Sequence, residues 1–174
     1  MVQRVMMVCT GNICRSPMAE VVLRERLEAA GLGDDVVVDS TGVSDEERGN
    51  PIDPRAVRAL RARGYDPSDR AAVQVEAAHL AERDLVLAMT ASHARALRRL
   101  DPDAPVRMFR SFDPEAPEVE GERDESRLDV ADPWYGGPED FELCLDQVEA
   151  ATDGIIAHLR EHARPCPPPR TLSA

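Results

Sequence analysis

Near its amino terminus the chain reads Val8-Cys9-Thr10-Gly11-Asn12-Ile13-Cys14-Arg15-Ser16-Pro17. An apolar run at residues 5–8 leads into this stretch, and a helix-like sequence follows it, with Pro17 suited to the first helical position. We therefore predict a strand, a tight loop and a helix. In such a loop the backbone N–H groups turn inward, and the helix amino terminus adds partial positive charge. The stretch is thus predicted to bind an oxyanion.

The two ends of this loop carry complementary side chains. Cys9 opens the loop, where the positive field favours the thiolate, a strong nucleophile. Arg15 closes it, and its planar fork matches two oxygens of a phosphate. Enzymes that transfer phosphoryl groups through a cysteine carry this arrangement: a cysteine, five residues, an arginine and then a serine, here Ser16. The spacing carries this prediction, since a lone cysteine is usually a buried hydrophobe and a Gly-Asn pair usually a turn. A nucleotide P-loop is excluded because no Gly-Lys-Ser/Thr ending is present.

Length and charge limit the possible partners. The 174 residues suit one domain, and the net charge of −12 argues against nucleic acid. No membrane partner is expected, because no apolar run approaches spanning length and no signal pattern precedes the first strand. No cofactor or metal is expected, since the His and Cys residues lack ligand spacing. The cysteines have no disulfide-framework spacing and favour a reducing, cytoplasmic location; they are Cys9, Cys14, Cys144 and Cys166.

Apolar and helical patterns alternate along the rest of the chain. The predicted strands are residues 4–9, 36–38, 85–89 and, more weakly, 106–109; the predicted helices are 17–31, 53–64, 76–82, 90–100 and 139–162. An acidic segment at 113–131 is predicted to be a solvated loop. This alternation predicts one α/β domain, residues 1–163, with a parallel sheet, helices on both faces and the first strand central. Residues 164–174 are rich in proline and are predicted to be a disordered tail.

Residues 8–20 resemble the signature of the low-molecular-weight protein tyrosine phosphatases. The similarity continues through residues 39–42, 49–56, 84–89 and 132–137 to a final helix, and so covers the chain to about residue 163. The resemblance implies a four-stranded sheet in the order 2-1-3-4. It also implies hydrolysis of phosphotyrosine in proteins through a phosphocysteine on Cys9. The phosphate-binding residues would then be Thr10, Gly11, Asn12, Ile13, Cys14, Arg15 and Ser16.

A phosphotyrosine phosphatase also needs an acid, because a phenol of pKa ~10 leaves more easily when it is protonated. Asp132 is the best candidate, since Pro133 fixes the backbone and an aromatic pair follows. Asp129 is a local competitor, and the resemblance favours Asp132. The pair Trp134-Tyr135 is predicted to wall a slot for a phenyl ring and to exclude the shorter phosphoserine. A hydrophobic anchor for the loop is the alternative reading of these aromatic residues.

Other residues are expected to support the loop. Asn12 tolerates left-handed backbone and is predicted to hold the loop with its side chain. The resemblance implies Ser40 as its support, and places Asp69 where relatives carry a bracing histidine. Ser16 either donates to the Cys9 sulfur or caps the following helix. Cys14 would be the redox partner of Cys9 by the same resemblance, with buried packing as the alternative.

One departure concerns the opposite wall of the substrate slot. Glu46 occupies a position where relatives carry an aromatic residue, so an acidic rim is predicted to favour basic peptides. This substitution bears on phosphotyrosine specificity more than on catalysis. The neighbouring Arg48 partly offsets the acidic charge.

Three rival functions share the loop. Residues 87–90 followed by His93 resemble protein arginine phosphatases, whereas Ile13 and the aromatic pair argue against that group. Thioredoxin-coupled arsenate reductase needs resolving cysteines, and residues 76–100 contain none. A non-catalytic phosphoprotein-binding relative would be expected to have lost Cys9, Arg15 or Asp132, and all three are present.

Overall fold

The computed structural model describes residues 2–162, which form a four-stranded parallel sheet. The strands are β1 (Gln3–Cys9), β2 (Val36–Gly42), β3 (Leu85–Ala88) and β4 (Val106–Met108). Their order is β2-β1-β3-β4, and every neighbouring pair is parallel. The predicted order 2-1-3-4 is confirmed, and β1 is one of the two central strands.

Helices connect the strands and cover both faces of the sheet. They are α1 (Arg15–Ala29), α2 (Pro54–Ala62), α3 (Ala77–Ala81), α4 (Ala91–Leu100) and α5 (Pro138–Glu161). Two short 3-10 helices occupy Phe109–Phe112 and Glu125–Leu128. Among residues 2–162, no helix combines the length and the apolar character needed to cross a membrane.

The side chains of β1 alternate between two hydrophobic clusters. Val5 and Met7 pack in the cluster that contains the buried faces of α1 and α5, and Met6 and Val8 pack in the cluster beneath α4. All four are fully buried. Since each buried side chain of this size contributes about 1.5–3 kcal/mol, burial on both faces fixes the position of β1. The loop that follows Cys9 therefore projects from a rigid strand at the carboxyl end of the sheet.

The first helix begins earlier than the sequence pattern predicts. It starts at Arg15, so Pro17 is its third residue and not its first. Ser16 lies inside the helix, which excludes it as the helix cap, and Cys14 at the cap position makes no capping hydrogen bond through its side chain. The tight turn of the loop sets this start, because the N–H of Met18 already donates to the carbonyl of Cys14 at 3.0 Å.

The second strand is longer than predicted. It continues past residue 38 to Gly42, because it pairs with β1 along its whole length, from Gln3 opposite Val36 to Cys9 opposite Gly42. The polar residues at its end were not expected in a strand, since strand propensity favours β-branched and apolar side chains. This pairing brings Ser40 and Thr41 beside the loop.

The acidic segment at 113–131 is largely exposed, and the prediction of a solvated loop is wrong only where three of its side chains are buried. Leu128 and Val130 are buried, and Glu125 is buried in an ion pair with Arg98 at 2.8 Å. The apolar side chains in this run pack onto the body of the protein, which acidic composition alone does not reveal. The predicted tail at 164–174, with Cys166, lies outside the described residues.

Candidate active site

The turn from β1 into α1 wraps the loop around the sulfur of Cys9. Cys9 is 3% exposed. Its Sγ lies 3.0 Å from the Ser16 hydroxyl and accepts from the backbone N–H of Asn12 at 3.3 Å. When the sulfur is a thiolate it can only accept, so both groups then donate to it. Ser16 contacts the sulfur from inside the helix.

Asn12 locks the loop through its side-chain amide. Its backbone has a φ of 60°, in the left-handed region that asparagine tolerates better than most residues. The amide nitrogen donates to Ser16 Oγ at 2.9 Å and to Ser40 Oγ at 2.8 Å. The amide oxygen accepts from Arg70 at 2.7 Å and from the N–H of Val73 at 3.0 Å. All four hydrogen bonds available to the amide are therefore made.

Arg70, rather than Asp69, braces Asn12. Asp69 is exposed, whereas the Arg70 guanidinium also donates to the Asn12 and Ser40 carbonyls at 3.3 and 3.2 Å. Asp69 makes no hydrogen bond to Asn12 among the described residues, and the neighbouring Arg70 side chain turns inward and makes the contact instead. Glu20 completes this support, since its carboxylate accepts from Ser40 Oγ at 2.6 Å and lies 3.5 Å from Arg70.

Gly42, at the end of β2, allows the loop to pack closely. A Cβ atom at this position would lie 2.5 Å from the Thr10 carbonyl oxygen and 3.0 Å from the Asn12 nitrogen, both backbone atoms. No side chain fits there without moving the loop. In the sequence, Gly42 belongs to one of the segments that carry the resemblance, and a lone glycine after a β-branched run gives no signal for this role.

Arg15 and Asp132 meet directly at the mouth of the loop. Arg15 is 5% exposed, and its Nη2 donates to Asp132 Oδ2 at 2.8 Å and to Thr10 Oγ1 at 3.3 Å. Its Nη1 donates to the Val130 carbonyl at 3.3 Å. The Asp132 side chain is about 44% exposed. The structure therefore places a guanidinium and a reachable carboxyl group beside the Cys9 loop.

The Asp129 side chain lies against the start of α4 and not in the cavity. Its carboxylate accepts from the backbone N–H of Ala91 at 2.7 Å, at the first residue of α4. This contact occupies an N–H that the helix cannot satisfy itself. Asp129 therefore ties the segment that carries Asp132 to α4, and it does not line the cavity above Cys9.

A cavity of about 230 Å³ opens above the loop. Trp134 and Tyr135 form part of its wall, at 38% and 95% exposure. Arg55 holds Trp134, donating to its carbonyl at 3.1 Å with its Cζ 5.4 Å from the ring centroid. Nothing in the residue pattern of α2 pointed to this contact. Asn12 and Ser16 lie beneath the cavity floor; the lining consists of Cys9, Thr10, Gly11, Ile13, Cys14, Arg15, Glu46, Glu47, Asp132, Trp134 and Tyr135.

Two glutamates form the acidic part of the rim. Glu47 accepts from Asn50 at 2.7 Å and packs its stem near Gly11, where an added Cβ would lie 2.9 Å from Glu47 Cγ. Glu46 is exposed and its carboxylate has no hydrogen-bond or ion-pair partner among the described residues. The charge of Glu46 is therefore available to a molecule that enters the cavity.

Burial shifts the pKa of three further groups near the site. It raises the pKa of the Cys14 thiol, with the nearby Asp53 adding to the effect, and it raises the pKa of Cys144 to about 12. Burial, followed by the positive charge of Arg15, lowers the pKa of His93 to about 4. Cys14 and Cys144 are therefore thiols and His93 is neutral near pH 7. Nothing in the sequence assigns His93 to the site, since its neighbours on α4 are polar.

Comparisons with known proteins agree with this geometry. The sequence model of the family described as low molecular weight phosphotyrosine protein phosphatase matches residues 4–164. A low molecular weight protein-tyrosine-phosphatase of Streptomyces coelicolor is 49% identical over 165 residues, covering 92% of this chain and 96% of that protein.

Solved structures show the same relationship. The low molecular weight protein tyrosine phosphatase of T. tengcongensis superposes with a TM-score of 0.76 at 33% identity, covering 90% of this chain and 99% of that one. The protein tyrosine phosphatase of Entamoeba histolytica, solved with Hepes in its active site, gives a TM-score of 0.80 at 26% identity, covering 91% and 97%. This chain belongs to the low molecular weight phosphotyrosine protein phosphatase family.

Proposed function

We propose that this protein hydrolyses phosphotyrosine in proteins through a phosphocysteine intermediate on Cys9. The observation that carries the proposal is the convergence of Cys9, Arg15 and Asp132 on one cavity above the loop. In addition, the Hepes bound by the E. histolytica relative carries a sulfonate, a tetrahedral oxyanion like phosphate. The presence of such a molecule in that active site supports binding of a phosphoryl group at the corresponding cavity here.

In the first step, the Cys9 thiolate attacks phosphorus in line with the phenolic oxygen. The S–P bond forms as the P–O bond to the phenol breaks, and Asp132 gives its proton to the departing oxygen. The loop N–H groups and the Arg15 fork bind the three equatorial oxygens, where charge is spread in the transition state. Free tyrosine side chain leaves, and Cys9 carries the phosphoryl group.

In the second step, Asp132 is a carboxylate and acts as the base. It takes a proton from water, whose oxygen attacks phosphorus and breaks the S–P bond. Phosphate leaves, Asp132 is again protonated and Cys9 is again a thiolate, which the Ser16 hydroxyl and the Asn12 N–H stabilise at 3.0 and 3.3 Å. The same carboxyl group therefore serves both halves of the cycle.

The substrate is tested with a matched set of peptides that carry phosphotyrosine, phosphoserine or phosphoarginine in one sequence. The aromatic wall at Trp134 and Tyr135 suits a phenyl ring, and a phosphoryl group attacked by Cys9 would lie at the floor of the same cavity. We expect kcat/KM for phosphotyrosine to exceed that for the other two by at least about a hundredfold. A preference for phosphoarginine would replace the proposal with the arginine phosphatase alternative.

Glu46 is predicted to favour basic residues beside the phosphotyrosine. A Glu46→Gln variant should lower kcat/KM for a peptide with flanking arginines by about 1.4- to fivefold, since an exposed charge pair is worth ~0.2–1 kcal/mol. Turnover of p-nitrophenyl phosphate, an anion with no flanking arginines, should not fall. Glu120→Gln is the matched control, because Glu120 is exposed and outside the cavity lining. An equal effect of both substitutions would contradict a role for Glu46.

We also infer a redox role for Cys14 as the resolving thiol. When a peroxide has oxidised the Cys9 thiolate to a sulfenic acid, the Cys14 thiolate attacks the Cys9 sulfur, the S–O bond breaks, a disulfide forms and the hydroxyl group leaves as water. Both cysteines line the cavity and both are free thiols. The attacking species is the thiolate, and burial raises the pKa of Cys14, so disulfide formation should be slow at neutral pH. The mechanism requires Cys9 to be a reduced thiolate, so the proposed function fits a reducing compartment such as the cytoplasm.

A further inference from the structure

His93 is a buried titratable side chain that the steps above do not use. It lies in the first turn of α4 and is 4% exposed. Its Nε2 is 2.9 Å from the hydroxyl of Thr10, the first residue of the loop after Cys9. The same hydroxyl oxygen accepts from Arg15 at 3.3 Å. His93 is thus linked through two hydrogen bonds, with Thr10 between them, to the guanidinium that is proposed to bind the phosphoryl group.

The direction of these bonds follows from the donors and acceptors. A guanidinium only donates, so the Thr10 oxygen must be the acceptor from Arg15. The single hydroxyl proton of Thr10 is then free to point at Nε2, which accepts it when the ring is neutral with its proton on Nδ1. Burial and the charge of Arg15 keep the ring neutral near pH 7. The chain of donors therefore runs from Arg15 to Thr10 to His93.

The other ring nitrogen has no partner. Nδ1 of His93 is one of two buried side-chain nitrogen or oxygen atoms without a hydrogen bond among the described residues. A buried N–H group without an acceptor destabilises a fold, so an apolar side chain of similar shape would suit this position better on stability alone. Packing therefore does not explain why position 93 is a histidine, whereas the hydrogen bond to Thr10 does.

We propose that His93 is a positioning residue, whose neutral ring holds the Thr10 hydroxyl as an acceptor for Arg15 and so orients the guanidinium for phosphoryl transfer. The inference rests on the proposed function. Arg15 has three protein acceptors: Thr10, the Val130 carbonyl and Asp132. Asp132 is protonated when it acts as the acid, which weakens its bond to Arg15. Thr10 and Val130 then remain to hold the guanidinium in place.

The test is a double-mutant cycle on His93 and Thr10. His93→Phe removes the acceptor, and Thr10→Val removes the hydroxyl with almost no change of shape. We expect His93→Phe to lower kcat/KM for p-nitrophenyl phosphate roughly tenfold, mainly through kcat, and to change it less than about twofold in the Thr10→Val background. The melting temperature of His93→Phe should equal or exceed that of the wild type, because the unpaired N–H is gone.

A second variant separates positioning from packing. His93→Gln can place an amide oxygen near the position of Nε2, so this variant should be much more active than His93→Phe. His93→Leu should show the same loss as His93→Phe. The leucine variant is used in place of His93→Phe if phenylalanine does not fit. Full activity of both apolar variants, or the same loss in the Thr10→Val background, would overturn the proposal. Failure of the wild type to hydrolyse any aryl phosphate would instead overturn the proposed function.

Discussion

A Cys9→Ser variant is expected to lose turnover of aryl phosphates by at least about 10⁴-fold while keeping its fold. A serine hydroxyl fits where the sulfur lies, 3.0 Å from Ser16 and 3.3 Å from the Asn12 N–H. Those contacts stabilise a thiolate, but they cannot ionise a hydroxyl at neutral pH. Oxyanion binding should therefore survive the substitution, and the chemical step should not. Steady-state rates of the variant and the wild type measure the loss of turnover, and circular dichroism of the two proteins measures whether the fold is kept.

Cys144 provides the control for the Cys9 experiment. It is a fully buried thiol on α5, outside the cavity lining, and burial raises its pKa to about 12. Cys144→Ala should leave the turnover of folded protein close to that of the wild type, at a cost of about 1 kcal/mol in the free energy of unfolding. Undiminished turnover in Cys9→Ser would remove Cys9 from the mechanism.

An Asp132→Asn variant should lose about 10²–10⁴-fold in kcat/KM on phosphotyrosine peptides and much less on p-nitrophenyl phosphate. The nitrophenolate is a better leaving group and needs less protonation. Asparagine keeps an oxygen that can accept from Arg15, which now donates to Asp132 at 2.8 Å, so the orientation of Arg15 is largely preserved. The difference between the two substrates therefore measures proton donation.

Asp129→Asn is the matched control for this variant. Asp129 accepts from the Ala91 N–H at the start of α4 and does not line the cavity. Asparagine keeps an oxygen that can accept from the Ala91 N–H, so Asp129→Asn should change the free energy of unfolding by less than about 0.5 kcal/mol and leave the ratio of the two substrates unchanged. Equal losses on both substrates for Asp132→Asn would contradict its role as the acid.

The sequence was sufficient for the parts of the fold that depend on local pattern. The strand, loop and helix at residues 3–29 follow from an apolar run, a turn-forming pair and a helical period. The sheet order depended on the resemblance to a family, because pairing between distant strands leaves no local mark. The start of α1 was misplaced, since Pro17 signals a first helical position and the loop begins the helix two residues earlier.

The residues that support the loop were harder to predict from the sequence. Arg70 reaches Asn12 across 58 residues of chain, and nothing in its own neighbourhood distinguishes it from Asp69. His93 lies among polar residues, so its burial depends on how α4 docks against the loop. Gly42 matters only because β2 runs to the full length of β1. Each of these roles is set by tertiary contacts, which a pattern along the chain does not record.

Trapping the phosphocysteine intermediate tests directly whether Cys9 is the nucleophile. The protein is mixed with a phosphotyrosine peptide, quenched in acid on the millisecond scale and analysed by peptide mass spectrometry. We predict one phosphoryl group per protein, bound to the sulfur of Cys9. In the Asp132→Asn variant, a substrate with a good leaving group should make this phosphocysteine accumulate, because the variant lacks the base that activates water. A phosphoryl group on Ser16 or elsewhere, or turnover with no phosphorylated protein at any time, would contradict this prediction.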